Sequence, residues 1–420
     1  MTSTPAAALG RELERSLPDR PFSVDFWDGT RVPATAPGPT FSVRSPDAVA
    51  RALRAPGQLG LGRAYVAGEL EVDDVDGVVH LLDHWDPPSL GRGARLRLAL
   101  AAARAGGLRR SPPPPAAELR VRGRLHSRRR DAAAVRHHYD VSNEFFALFL
   151  DESMTYSCGL FRDGATTLEE AQEAKLELVC RKLRLQPGQR VLDVGCGWGS
   201  FALHAAARHD VSVVGITLSE PQAELARERV RAAGYDDRID IQVADYRDLG
   251  GEGFDAIASI GMVEHVGAER IDEYGRALAA ALRPGGRLLN HGITRLMNYG
   301  HEEGKFTLRY VFPDARPLHL DEVVRGLEKA GFEPRHVEDM REDYAETLRH
   351  WAARLDARLE DAVRLAGPER VRVWRLYLRA ARNGFQMRTT SVFQVLCELP
   401  GGVKAEAPAL DAAAVAAAPA

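Results

Sequence analysis

Short apolar runs of strand length recur along the second two-thirds of the chain, at residues 190–194, 212–216, 239–243, 254–260 and 287–293, each separated from the next by a helix-length segment. Alternation of this kind predicts an α/β doubly wound sheet over residues 132–400. The Pro-Gly-Gly at 284–286 predicts a sharp turn just before the last run. The first 86 residues follow another pattern. A strand with a turn at Asp28 and Gly29 is expected within residues 22–31, a second strand at 40–43, a short helix at 47–54 and an apolar patch at 64–71. Together they make a smaller amino-terminal α+β domain without obvious chemistry of its own.

Residues 87–131 change character. Arg92, Arg95, Arg97, Arg104, Arg109 and Arg110 sit among leucines and alanines, a Ser-Pro-Pro-Pro-Pro run at 111–115 breaks any helix, and Arg120, Arg122, Arg124, Arg128, Arg129 and Arg130 follow. The pattern predicts a basic amphipathic helix and then a flexible basic linker. Two readings stand side by side: attraction to an anionic bilayer surface, at ~1 kcal/mol per basic residue near the headgroups, or a solvated interdomain linker. Residues 401–420 are rich in Ala and Pro and are expected to be disordered.

Composition narrows the picture. At 420 residues and 45% hydrophobic, the chain can build a proper core, as two domains or one large one. The net charge of −3 and the lack of aromatics within the basic stretch argue against nucleic acid. Cys158, Cys180, Cys196 and Cys397 show neither metal-ligand spacing nor a disulfide framework, so no metal is expected. The amino terminus lacks the layout of a signal peptide, and no run of about 18 apolar residues exists. A reducing cytosol is the expected compartment.

The sequence VLDVGCGWGS at 191–200 carries the most information. Val191, Leu192 and Val194 form a buried strand, and Gly195, Gly197 and Gly199 clear side chains where the backbone turns into a helix. Such a turn delivers a ligand to the carboxyl end of a parallel strand. The G-x-G-x-G spacing departs from the G-x-G-x-x-G of dinucleotide sites. The next strand also ends in a turn carrying Glu220 rather than in a closing acidic residue. Both points lean away from NAD and towards a methyltransferase.

Further segments join this turn in order: HYDVSNEFF at 138–146, MTYSCGLF at 154–161, GITLS at 215–219, MVEHVG at 262–267, HGI at 291–293, YVFP at 310–313 and DYAETL at 343–348. With them the chain resembles the cyclopropane-fatty-acyl-phospholipid synthase family of S-adenosylmethionine-dependent methyltransferases. The resemblance is strong over residues 132–399, and the amino-terminal module looks like that of the longer phospholipid-modifying members. It implies a Rossmann-like class I methyltransferase sheet.

Carried over motif by motif, the resemblance implies that Tyr156 and Ser157 meet the cofactor's methionine end. Asp193, Gly195 and Gly197 line its approach, Thr217, Leu218 and Gln222 border the ribose and adenine, and Asp245 and Tyr246 flank the adenine. It also implies a bound bicarbonate, gripped by Glu264, His291 and Tyr344 with the backbone at Cys158 and Ile293. The chemistry fits such a site. A cis alkene is a poor nucleophile and must be held in line with the sulfonium methyl in a dry pocket. Methyl transfer leaves a cation on the acyl chain, and an adjacent anion stabilises it and takes the proton that lets the ring close. Each residue also has a plain reading: Glu264 as a helix cap, His291 as a core histidine, Tyr344 as packing, Cys158 as a small buried hydrophobe. His265 and Trp198 are read as structural.

Phe145, Phe146, Phe149, Leu150, Phe161, Tyr310, Phe312 and Phe385 are candidates for an acyl channel. Trp351, Trp374, Tyr377 and Phe385 are expected at a mouth facing the bilayer. The leading expectation is a cyclopropane on the unsaturated acyl chain of a membrane phospholipid. The alternative is a 10-methylene branch, reduced afterwards by a flavin-dependent partner. A non-catalytic lipid binder and a methyltransferase of a small polar acceptor are the competing classes; the intact motifs oppose the first and the amino-terminal module the second. The family also implies a homodimer, peripherally associated with the inner face of the membrane. The segments at 295–305 and 313–317 depart from the family pattern and leave chain length and double-bond position open.

Overall fold

The computed structural model describes residues 4–107, 112–119, 130, 142–251, 253–296, 305–312 and 316–401. The basic linker at 120–129, the head of the first motif at 138–141, most of the irregular 295–305 segment, residues 313–315 and the tail at 402–420 lie outside the described residues.

The amino-terminal domain holds β1 (Ser23–Phe26), β2 (Arg31–Val32), β3 (Thr40–Val43) and β4 (Leu70–Val72) in a sheet of order β2-β1-β3-β4. The turn at Asp28 and Gly29 joins β1 to antiparallel β2, as expected, with Gly29 at φ +85°. The helix expected at 47–54 runs Pro46–Arg54, capped by Ser45. The apolar patch at 64–71 proves to be the end of a helix, Gln58–Val66, followed by β4. The basic helix forms as Arg92–Ala102. It buries Ala101 and Ala102 in the domain's core with Leu9 and Val24, and leaves Leu96 at 61% and Leu100 at 47% exposed.

The main sheet contains β5 (Arg190–Val194), β6 (Ser212–Thr217), β7 (Ile239–Val243), β8 (Phe254–Ile260), β9 (Leu282–Arg295), β10 (Leu318–His319), β11 (Glu333–Asp339) and β12 (Thr390–Glu398). Its order is β11-β12-β9-β8-β5-β6-β7, with β10 beside β9; β12 runs antiparallel to both neighbours. The first five strands match the sequence expectation closely. The Pro-Gly-Gly does not precede β9 but lies within it, as an irregularity in its pairing with β8 between Leu282 and Arg287. Apolar side chains cover both faces. Helices Leu168–Leu183, Ser200–His209 and Glu220–Ala233 pack on one side, and Ile271–Ala281 and Leu320–Lys329 on the other.

Arginines join the domains. Arg379 Nε meets Asp76 at 2.8 Å, Arg382 pairs with the same carboxylate, and Arg372 pairs with Glu71, while Arg63 grips Glu118 of the connecting segment at 2.6 Å. Three of these arginines lie on the long helix Leu359–Gln386, which kinks at Gly367 ahead of Pro368.

Candidate active site

The glycine turn follows β5 directly. The amides of Gly195 and Cys196 both donate to the Ile216 carbonyl at the end of β6, at 2.9 and 3.0 Å. Gly195 sits at φ +82°, and a Cβ there would lie 2.6 Å from Met262 Cγ, so only glycine fits. Beside this turn opens a cavity lined by Tyr156, Ser157, Asp193, Gly195, Gly197, Thr217, Leu218, Gln222 and Tyr246. The structure thus brings together nine of the ten residues expected at the cofactor. Asp245 does not line the cavity: its carboxylate takes Arg247 Nε at 2.8 Å and Nη2 at 2.6 Å, and Arg247 is the residue that reaches the lining. Trp198 and His265 also line it; Trp198 Nε1 donates to Asn143 Oδ1 at 2.8 Å.

The loop over the cavity is held from below. Asp151 accepts the Thr155 amide at 2.9 Å, fixing Met154 at φ +59°, a conformation unusual for a side chain of that size. Lys175 Nζ donates to Ser157 Oγ at 2.8 Å, and Gln172 Nε2 donates to the Ser157 carbonyl at 2.7 Å. Burial pushes the Lys175 ammonium down to about 8, opposed by Cys158, Asp151 and Asp193. Burial pushes the Asp193 carboxyl up to about 7, opposed by Lys175. Asp193 Oδ2 has no hydrogen-bond partner among the described residues. A buried polar atom without a partner is costly, and a donor-bearing ligand in the cavity relieves it. The glycine cradle and this free acceptor fit an amino-acid-bearing nucleoside cofactor. Sequence reasoning missed Lys175 and Gln172. Their signal was available: both fall on the stripe of Leu168, Ala171, Leu176 and Val179 that the helix buries.

A second wall stands on β9 and its neighbours. Glu264 Oε1 accepts the Ile293 amide at 2.7 Å, while Oε2 is buried without a partner among the described residues. Gly292 makes room, since a Cβ there would meet Val263 Cγ1 at 2.2 Å. Burial pushes the Glu264 carboxyl up to about 7 against the pull of the Ile293 amide. The Ile293 amide, expected to grip a bound anion, is thus engaged by Glu264, because a buried carboxyl takes the nearest donor. His291 lies two residues back on the same face of β9. Burial pushes it down to about 3, with Lys175 and Lys182 adding to the effect, so the ring is neutral. Lys182 donates to Gln394 Oε1 at 2.6 Å, and this turns the Gln394 amide nitrogen towards His291 Nδ1 at 3.2 Å. The network therefore assigns the proton to His291 Nε2, which is buried and has no partner among the described residues.

Cys158 and Tyr344 meet the same wall through Met340. The Met340 carbonyl accepts the Tyr344 amide at 3.0 Å and faces Cys158 Sγ at 3.6 Å, and the Met340 amide donates to Val392, the partner of Ile293. Burial, then Asp343, pushes the Cys158 thiol far up, so it is no nucleophile. One free acceptor or donor (Glu264 Oε2) and one free donor (His291 Nε2) suit a small oxyanion that carries its own proton.

The aromatic candidates divide between two places. Phe145, Phe146, Phe149, Tyr156, Trp351 and Trp374 form one cluster that also touches Trp198 at 5.0 Å through Phe146. Tyr310 belongs instead to a patch shared with Val66 of the amino-terminal domain. The expected bilayer mouth does not form from Trp351, Trp374 and Phe385. They are 1%, 2% and 3% exposed, because the helix Arg341–Ala357 turns Trp351, and the kinked helix turns Trp374 and Phe385, into this core rather than outward.

A parallel sheet with one antiparallel strand next to the edge, and a glycine turn after its central strand, defines the class I S-adenosylmethionine-dependent methyltransferase fold. Within that class the particular relationship is direct: the family described as mycolic acid cyclopropane synthetase matches residues 126–395, and this chain belongs to it. A cyclopropane-fatty-acyl-phospholipid synthase of Escherichia coli is 33% identical over 88% of this chain and 90% of its own. A tuberculostearic acid methyltransferase of Mycobacterium tuberculosis is 32% identical over 94% of this chain and 91% of its own. A solved mycolic acid cyclopropane synthase, complexed with SAH and CTAB, is 36% identical over 64% of this chain and 98% of its own, with a TM-score of 0.61. The chain is an S-adenosylmethionine-dependent methyltransferase that modifies lipid acyl chains. No helix among the described residues is long and apolar enough to cross a membrane.

Proposed function

We propose that this enzyme adds a methylene group to the cis double bond of a membrane phospholipid's acyl chain and closes a cyclopropane ring. The observation that carries this reading is the pair of unpartnered buried atoms, Glu264 Oε2 and His291 Nε2, on one wall beside the aromatic cluster. S-adenosylmethionine supplies an electrophilic methyl on sulfur. Tyr156, Ser157, Asp193, Gly195 and Gly197 hold its amino-acid end, and Thr217, Leu218, Gln222 and Tyr246 its nucleoside end, with Asp245 acting through Arg247. The aromatic cluster of Phe145, Phe146, Phe149 and Trp374 holds the acyl chain and keeps water out. As the alkene takes the methyl, positive charge grows on the acyl chain, and ionised Glu264 stabilises it.

Bicarbonate, when bound at this wall, supplies the base for the proton that the new methyl loses. Glu264 and the Nε2–H of His291 would orient it, and Tyr344 would hold it from the helix Arg341–Ala357. The proton leaves the transferred methyl, its electron pair closes the ring, and the charge on the chain is cancelled. If a neighbouring chain carbon loses the proton instead, the product is a methylene branch for a flavin-dependent reductase. The tuberculostearic acid relative, at nearly the same identity as the cyclopropane relative, favours keeping that second reading in the test. The exposed Arg92, Arg95, Leu96 and Leu100 of the basic helix suit contact with an anionic bilayer at the cytoplasmic face. The amino-terminal domain is the proposed dimer contact.

The test is expression in a host that lacks its own synthase and is fed oleate, followed by gas chromatography–mass spectrometry of phospholipid acyl chains. A methylene-added chain that resists mild hydrogenation and co-elutes with the ring standard supports cyclopropane formation. A hydrogenation-sensitive branch establishes the second reading. Unchanged lipids, with folded protein that binds S-adenosylmethionine, refute both.

A further inference from the structure

Helices Leu168–Leu183 and Ser200–His209 pack side by side on the face of the sheet, and the polar cluster between them takes no part in the cavity. Glu177 and Cys180 lie three residues apart on the first; His204 lies within the second and His209 ends it. Cys180 Sγ and one ring nitrogen from each histidine all lie within 4.8 Å of one another. Glu177 Oε2 is 3.2 Å from His204 Nε2 and 3.0 Å from His209 Nε2. The plain reading is a carboxylate shared by two imidazoles. Cys180 also packs into the apolar core beside Val179 and Leu183, yet its Sγ faces the two imidazoles closely enough to make a third donor.

Around a zinc ion with bonds of about 2.0–2.3 Å, tetrahedral ligand atoms stand roughly 3.3–3.8 Å apart. The Glu177 carboxylate stands 3.0–3.2 Å from the two imidazoles, and the thiol and imidazole donors, within 4.8 Å of one another, need a contraction of up to about an ångström. Glu177 would join as the fourth ligand by turning from the imidazoles onto the ion. We infer that Glu177, Cys180, His204 and His209 bind one zinc-class divalent cation. A soft sulfur, two imidazoles and one carboxylate oxygen select such an ion over magnesium or calcium. Thiolate and carboxylate together neutralise the dication. On binding, the cation displaces the Cys180 thiol proton to solvent. The neighbouring Arg208 guanidinium is paired with Glu173 at 2.7 Å.

The ion staples two elements that frame the cofactor cavity. The first helix carries Lys175 and Gln172, which hold the Ser157 loop, and the second starts at the glycine turn. Cysteine spacing gave no hint of this, because one cysteine and two histidines come together from separate helices.

The full chain, without a histidine tag and stripped by chelator, is titrated with cobalt(II) and then with zinc(II). The expected result is one equivalent bound, intense visible bands of tetrahedral cobalt, and a thiolate-to-cobalt charge-transfer band that zinc abolishes. Cys180→Ser should lose that band and weaken zinc binding by about 100-fold, at least the effect of removing an outer-shell partner. His204→Gln should weaken it similarly. Circular dichroism and S-adenosylmethionine binding check that the variants fold. If Cys180→Ser folds poorly, His209→Gln at the helix end gives the same reading. No cobalt spectrum at micromolar metal, or binding that none of these variants weakens, overturns the site.

Discussion

The cofactor cavity and the Glu264–His291 wall meet at the carboxyl end of β8, yet the first is shaped mainly by backbone and the second by buried side chains. At the cavity, two amides of the glycine turn lock onto one carbonyl, and Gly195 leaves room for Met262. At the wall, a carboxyl raised to about 7 and an imidazole lowered to about 3 each keep one atom free. Backbone geometry tolerates most side-chain changes but no Cβ at the turn. Buried titratable groups tolerate no change of charge. The two halves should therefore fail in different ways: one in cofactor affinity, the other in turnover.

The largest expected effect tests that division. Glu264→Gln should lower kcat on unsaturated phospholipid vesicles by about 10³-fold, the cost of losing a preorganised charge partner, and leave the KM for S-adenosylmethionine nearly unchanged. A rise in KM at constant kcat would break the comparison. Next, Gly195→Ala should raise the Kd for S-adenosylmethionine by roughly 10–100-fold in calorimetry, from about 1–3 kcal/mol of backbone strain, with kcat at saturation nearly preserved. Gln394→Met removes the donor that fixes the His291 tautomer. It should cost about tenfold in kcat, in line with outer-shell partners elsewhere, and leave cofactor affinity alone. An equal loss in both would show that Gln394 only supports packing.

The smallest effect is on stability. The folded state favours protonated Glu264, so that contribution is complete below the ordinary carboxyl range near 4.5 and is lost as pH rises through about 7. Glu264→Gln, neutral at every pH, should therefore match the parent's melting temperature near pH 5 and exceed it at pH 8. The gap corresponds to about 3 kcal/mol at most. The kcat/KM of the parent should climb through pH 7, and that limb should vanish in the glutamine variant. A limb that persists belongs to Asp193, whose carboxyl is also raised to about 7.

What could be read in the sequence follows the same physics. The five parallel strands and the glycine turn are local patterns; the bounds of β5 to β8 agree with the fold almost residue for residue, whereas β9 starts five residues earlier than expected, through the Pro-Gly-Gly. β12 was not apparent, although it runs between β9 and β11, because buried Ser391 and Gln394 interrupt its apolar run. β11 is largely polar because it forms the sheet's exposed edge. Trp351, Trp374 and Phe385 were read as surface from the arginines around them, but each of their two helices can give its arginines to one side and its aromatics to the other. The Lys182–Gln394–His291 relay joins three distant segments, so no local spacing announces it.

The long helix Leu359–Gln386 acts as a shared beam. Along one side Arg372, Arg379 and Arg382 are bolted to Glu71 and Asp76 of the amino-terminal domain, and along another Trp374, Leu378 and Phe385 are embedded in the aromatic cluster. The bolts are only partly shielded from solvent, so salt loosens them while leaving the embedded side intact. A tug on the amino-terminal domain is therefore delivered as a load along the aromatic cluster, the wall proposed to hold the acyl chain.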